Sequence, residues 1–168
     1  MPTPRARTLV VSLTVSMTLA SVFALSSAQA RSRPEDVGSA HVTTHASRGA
    51  DELRTRMLAL VNRSRHLRGL PALRINERLS REALAHSRKM SRDGSISHTP
   101  NLVAVIGDVG GTVFGEDVAK GRSLRGIRDA RLRRSETRRI LLDGRFHRVG
   151  LGVVHADGFF WVTLQAFD

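Results

Sequence analysis

Seven histidines, no cysteine and no tyrosine set the chemical repertoire of this 168-residue chain. Without a thiol there is no cysteine nucleophile, cysteine-ligated metal or disulfide, so acid–base or metal chemistry falls to histidine and carboxylate. His41 and His45 stand four apart, a spacing that suits metal on a helix. Their Ser-, Arg- and Thr-rich surroundings offer no apolar periodicity to hold a helix, so they read as solvated. His86 shares a helical stripe with Leu79, Ala83 and Met90 and reads as a core histidine bonded to backbone. Ser97 adjoins His98, but neighbouring side chains rarely converge in catalytic geometry. No Gly-x-Ser-x-Gly elbow, His-Glu-x-x-His helix or phosphate-cradling glycine loop occurs. The third set with chemical potential is cationic: Arg125, Arg128, Arg131, Arg133, Arg134, Arg138 and Arg139, offset only by Asp129 and Glu136.

These residues need elements to position them. Leu53, Met57, Leu60 and Val61 predict a first helix over about 50–67, closed by Gly69. Asn76 is a good N-cap for a second helix carrying Leu79, Ala83, His86 and Met90 and ending near Asp93-Gly94. Residues 95–121 are less regular: 101–106 suits a short helix or a strand, and Gly107, Gly110 and Gly111 make the following stretch loop-like. A third helix is expected over 123–142, with Leu124, Ile127, Ala130 and Leu141 among its arginines. Two strands, 149–154 and 159–167, flank Asp157-Gly158, a strong hairpin signal. Helices first and paired strands last predict an α+β layered domain.

The front of the chain reads as an export signal. Arg5 and Arg7 precede an apolar run over 9–25, and Ala28-Gln29-Ala30 offers the small residues that signal peptidase needs. Residues 1–30 are therefore expected to be a signal peptide cleaved after Ala30, residues 31–49 a disordered leader, and residues 50–168 the folded domain. Such a product is secreted and not transmembrane. The net charge is +12, and losing Arg5 and Arg7 leaves 25 basic residues against 15 acidic. A surface of that sign attracts envelope polymers, anionic lipid headgroups or nucleic acid. Aromatics at 4% give little from which to build a base-stacking platform, so no specific nucleic-acid partner is expected.

An ordered set of residues resembles a known family. Val61-Asn62, Arg65, Gly69-Leu70-Pro71-Ala72-Leu73, Asn76, Leu79, Ala83, His86-Ser87, Met90 and Ser97-His98 follow the order and spacing of bacterial SCP-like domains of the CAP superfamily. Gly115-Glu116-Asp117-Val118-Ala119 resembles its Gly-Glu-Asn signature, and Arg138, Leu141-Leu142, Arg145-Phe146 and Val149-Gly150-Leu151-Gly152-Val153 complete the match. The resemblance spans roughly residues 52–167. It implies a three-layer α/β/α sandwich with a central antiparallel sheet, and a groove gathering histidines and glutamates that can hold a divalent metal such as zinc.

By motif position His98 matches the first groove histidine and Glu116 the signature glutamate. The second histidine normally lies in a Ser-x-x-His-Arg run, and here Ser135-Glu136-Thr137-Arg138 puts Thr137 in its place. Ile140 replaces the usual asparagine, and Arg131 the usual apolar residue. The groove set is thus His98, Glu116, Thr137, Arg131 and Arg138, with His98 and Glu116 as the only metal ligands to match. One imidazole and one carboxylate fall short of the three or four that a stable zinc site uses, so no resident cofactor is expected. Arg131 is expected to reach into the groove and pair with Glu116, supplying the positive charge that a metal would bring. The leading reading is a secreted, non-enzymatic protein that binds an extracellular ligand (lipid, envelope polymer or protein) at this partly degenerate groove. Its alternatives are a metal-assisted hydrolase using His98 and Glu116, and a cationic surface-adhesion module.

Overall fold

Helical spacing of apolar residues gives way to alternation near residue 149, and the architecture follows that switch. The structure, a computed structural model, describes residues 37–168, with side chains from residue 48. The expected signal peptide lies outside the described residues. In order, the elements are α1 (Val37–His66), β1 (Arg74–Ile75), α2 (Glu77–Asp93), α3 (Leu102–Gly107), β2 (Phe114–Gly121), α4 (Leu124–Arg133), α5 (Ser135–Leu142), β3 (Arg148–Ala156) and β4 (Phe159–Phe167).

The sheet order is β1-β3-β4-β2. β4 pairs antiparallel with both β3 and β2, and the two residues of β1 join β3 in parallel. Helix α2 covers one face of this sheet, while α1, α4 and α5 cover the other. This is an α+β, three-layer sandwich whose central sheet is antiparallel apart from the short β1 edge. Its main core joins Met57 and Val61 of α1, Leu124 and Ile127 of α4, and Val149, Leu151 and Val153 of β3.

The opposite face of β3 presents Gly150 and Gly152 to α2. A Cβ on Gly152 would sit 2.2 Å from the Ala83 carbonyl carbon, and one on Gly150 would sit 2.3 Å from Leu79 Cγ. Only glycine allows α2 to lie this close to the strand. Two serines of the buried α2 stripe satisfy the backbone there. Ser87 Oγ donates to the Gly152 carbonyl at 3.1 Å, and Ser80 Oγ accepts from the Leu151 amide at 3.1 Å.

Helix α2 keeps its expected ends: the Asn76 side chain accepts from the Leu79 amide, and Gly94 closes the helix at φ 68°. The hairpin turn also holds, with Asp157 and Gly158 both at positive φ. Residues 101–106, left open between helix and strand, are mostly helical in α3.

Three expectations change. Helix α1 begins at Val37, ahead of the expected start at residue 50, with no proline in its path to stop propagation. The single helix expected over 123–142 is two helices, broken at Arg134 (φ −88°, ψ 128°). The stretch before Gly121 contains a full strand, β2, paired along its whole length with β4. Among the described residues no helix is long and apolar enough to cross a membrane.

Candidate functional site

Glu116 lies on β2 with its side chain only 2% exposed, and three donors meet its carboxylate. Oε1 accepts from His98 Nδ1 at 2.7 Å and from the Thr99 amide at 2.9 Å. Oε2 accepts from Gln165 Nε2 at 2.9 Å, across the strand pair in which Glu116 faces Gln165. Burial pushes the Glu116 pKa up, but the hydrogen bonds from Thr99, Gln165 and His98 outweigh it and hold the group below its ordinary value. His98 is anchored through Nδ1 while its side chain is 72% exposed. When the imidazole is neutral, donating from Nδ1 leaves Nε2 as the lone-pair nitrogen.

Next along β2, Asp117 faces α4. Its carboxylate Oδ1 lies 3.3 Å from Arg131 Nε, and the Arg131 guanidinium also donates to the Val118 carbonyl. Arg131 does reach inward, but its ion pair is with Asp117 rather than Glu116. Glu116 is already occupied, and alternation along β2 turns the next carboxylate toward α4. Burial raises the Asp117 pKa to about 6, opposed by Arg131 and His98 and reinforced by Glu116.

Thr137 Oγ1 donates to the Arg131 carbonyl at 2.7 Å, across the break between α4 and α5. The two departures from the family pattern are therefore in contact. A threonine here closes the end of the helix that bears the arginine.

His98, Glu116, Asp117, Arg131, Thr137 and Ile140 all border one cavity of about 350 Å³. Arg138 does not border it. It is exposed on the outer side of α5, one residue past Thr137, which points it away. His147, the other histidine close in sequence to these helices, is also outside the cavity. His86 is buried, with Nε2 2.7 Å from the Ser97 carbonyl oxygen, as a core histidine should be.

The donor set does not fit a metal centre. Both Glu116 oxygens already accept hydrogen bonds, Asp117 is turned to Arg131, and the Thr137 hydroxyl is spent on a carbonyl. No group of three histidine, cysteine or carboxylate side chains comes together among the described residues.

A larger cavity, about 1020 Å³, lies on the other side of α4, between it and α1. Leu53, Ala59, Leu60, Leu124 and Phe160 supply its apolar lining, and Arg56, Arg63, Arg125 and Arg128 its basic rim. Arg128 is held by Asp129 at 2.6 Å and by Ser64 Oγ at 3.2 Å, and Arg56 pairs with Glu52. Arg63 and Arg125 have no carboxylate partner among the described residues. Leu53, Met57, Leu60 and Val61, the helical stripe that predicts the first helix, divide between the core and this groove. In the fold Met57 and Val61 are buried, whereas Leu53 and Leu60 are only half-covered and open onto the groove.

Residues 58–165 match the family described as CAP, the cysteine-rich secretory protein family. Among solved structures, the chain is similar to an extracellular protein containing an SCP domain from Bacillus anthracis. The identity is 25%, the coverage 74% of this chain and 43% of that one, and the TM-score 0.59. It is similar in fold to an outer surface protein from Borrelia burgdorferi, at 17% identity, 70% and 92% coverage, and TM-score 0.62. It also shares its fold with a cysteine-rich secretory protein from Staphylococcus aureus, at 16% identity, 70% and 39% coverage, and TM-score 0.59. The chain thus spans less than half the length of the Bacillus and Staphylococcus proteins. No curated protein matches it. The match over residues 58–165, together with the sandwich and its groove, means that this cysteine-free chain belongs to the CAP family.

Proposed function

We propose that this chain is an exported, non-catalytic CAP protein that binds an anionic amphiphile, with the acyl part in the α1–α4 groove and the headgroup among the rim arginines. The observation that carries this reading is the pairing of an apolar lining with a basic rim in a space of about 1020 Å³. Buried methylenes contribute about 0.8 kcal/mol each, and a guanidinium rim suits a carboxylate or phosphate headgroup. Export follows from residues 1–30, with cleavage after Ala30 and 31–168 as the product. Amino-terminal sequencing of protein recovered from the medium tests that step, and an intact Met1 would refute it.

The binding reading is tested by calorimetric titration with a series of saturated fatty acids of increasing length. Affinity is expected to rise about threefold to fourfold per added methylene, until the tail outgrows the groove. Affinity independent of chain length would overturn it. The hydrolase reading gains no support from the geometry. Glu116 has both oxygens occupied, and no hydroxyl is hydrogen-bonded to His98 among the described residues.

A further inference from the structure

The arginines of α4 and α5 are unevenly used. Arg128 and Arg131 are engaged by Asp129 and Asp117. Arg125, Arg133, Arg134, Arg138 and Arg139 are exposed and have no carboxylate partner among the described residues. The opposite layer is less one-sided: on α2, Lys89 pairs with Asp93 and Arg78 with Asp108. Arg81, Arg88 and Arg92 are exposed without a carboxylate partner among the described residues but share the helix with Glu77 and Glu82. Five basic residues stand against three acidic ones there, and eight of 122–139 stand against two. Positive charge is thus concentrated on the layer that holds the apolar groove. Arg125 belongs to both, since it borders the groove on α4. The same layer carries Leu67, 70% exposed in the turn that directly follows His66, another groove-lining residue.

We infer that the outer face of α4 and α5 docks on an anionic bilayer surface. The docking brings the mouth of the α1–α4 groove to the lipid from which its ligand is drawn, and this last clause rests on the groove reading above. Charge complementarity selects an anionic partner. An apolar groove opening on the charged layer, beside an exposed leucine, selects a lipid surface over a soluble polyanion, which has no use for either. Neither α4 nor α5 carries an aromatic residue, so the two helices offer no stacking surface for nucleic acid.

The experiment is co-sedimentation of protein recovered from the medium of an exporting host with two vesicle types. One is equal parts phosphatidylglycerol and phosphatidylcholine, the other phosphatidylcholine alone. Binding is expected to the first only, and to fade as salt shortens the Debye length below its physiological value of about 8 Å. Replacing Arg133, Arg134, Arg138 and Arg139 together (Arg→Gln at each) should weaken vesicle binding by at least about a hundredfold. None of the four lines the groove, so the variant should still bind a soluble fluorescent fatty acid as the parent does.

Undiminished vesicle binding by the variant would overturn the proposal, as would equal binding to neutral vesicles. Retention on heparin without any binding to vesicles would also overturn it, in favour of a polymer partner. Vesicle binding that is lost in the variant, in a parent that takes up no fatty acid, would support the docking face and refute the groove reading alone.

Discussion

Arg65 is buried to the last atom and yet faces no carboxylate within ion-pair distance. Its guanidinium donates instead to the carbonyls of Pro71, Leu141, Asp143 and Phe146, at 2.8 to 3.0 Å. One side chain thereby ties the end of α1 to the end of α5 and to the loop leading into β3. Arg65→Met fills similar space but orphans buried acceptors, each costing about 1–3 kcal/mol. Urea denaturation should show a loss of at least about 3 kcal/mol, and a loss below 1 would mean that water replaces the guanidinium.

The neighbouring carboxylates of β2 make an opposed pair. Asp117 has a folded pKa of about 6, above its ordinary 3.8. Its contribution to stability is therefore complete below about pH 4 and is lost as pH rises through 6. Asp117→Asn cannot titrate, so the parent should lose stability relative to it across that window, by on the order of 3 kcal/mol. Glu116 runs the other way. Its pKa is held down, so its contribution is present above the ordinary carboxylate range and fades as pH falls through the lowered folded value. Denaturant midpoints measured down to about pH 2 and up to about pH 7 check both signs. A flat difference between parent and Asp117→Asn would contradict the burial of that carboxyl.

Among the elements, the close approach of α2 to β3 is the most demanding contact. A methyl at residue 152 meets backbone atoms of Ala83 and Leu84 at 2.2 to 2.3 Å, and backbone cannot swing aside as a side-chain tip can. Gly152→Ala is expected to cost about 3 kcal/mol or more through overpacking. A thermal midpoint within a degree or two of the parent would show that α2 slides without penalty. Helix α2 and the β3–β4 hairpin were legible in the sequence because their signals are local: Asn76, Gly94 and Asp157-Gly158 each act within a few residues. Strand β2 was not. Glu116, Asp117 and Lys120 break its alternation, and those polar residues are tolerated because Gln165, Arg131 and the rings of Phe159 and Trp161 meet them from other elements. The break at Arg134 was hidden for the same reason, since arginine is a sound helix former and the closing bond comes from Thr137. Thr137→Val keeps the shape and removes that bond, so a loss of about 1 kcal/mol is expected by chemical denaturation.

At the scale of the molecule, the sandwich holds two unlike cavities on either side of α4. The smaller, around His98 and Glu116, was expected from the family resemblance, and its chemistry is closed internally by Gln165, Thr99 and the Arg131–Asp117 pair. The larger could not be read from the sequence, because whether Leu53 and Leu60 are covered depends on where α4 and Phe160 come to rest. Of the two, the larger has the volume and the apolar lining for a ligand.

Titration with one fluorescent long-chain fatty acid, run in parallel on the parent, Leu60→Arg and His98→Ala, tests that assignment most directly. Leu60→Arg should abolish binding by placing a charge in the lining, while His98→Ala should bind within about twofold of the parent, well under the tenfold that 1.4 kcal/mol represents. Binding that survives Leu60→Arg and disappears in His98→Ala would contradict the account and return the ligand to the cavity at Glu116.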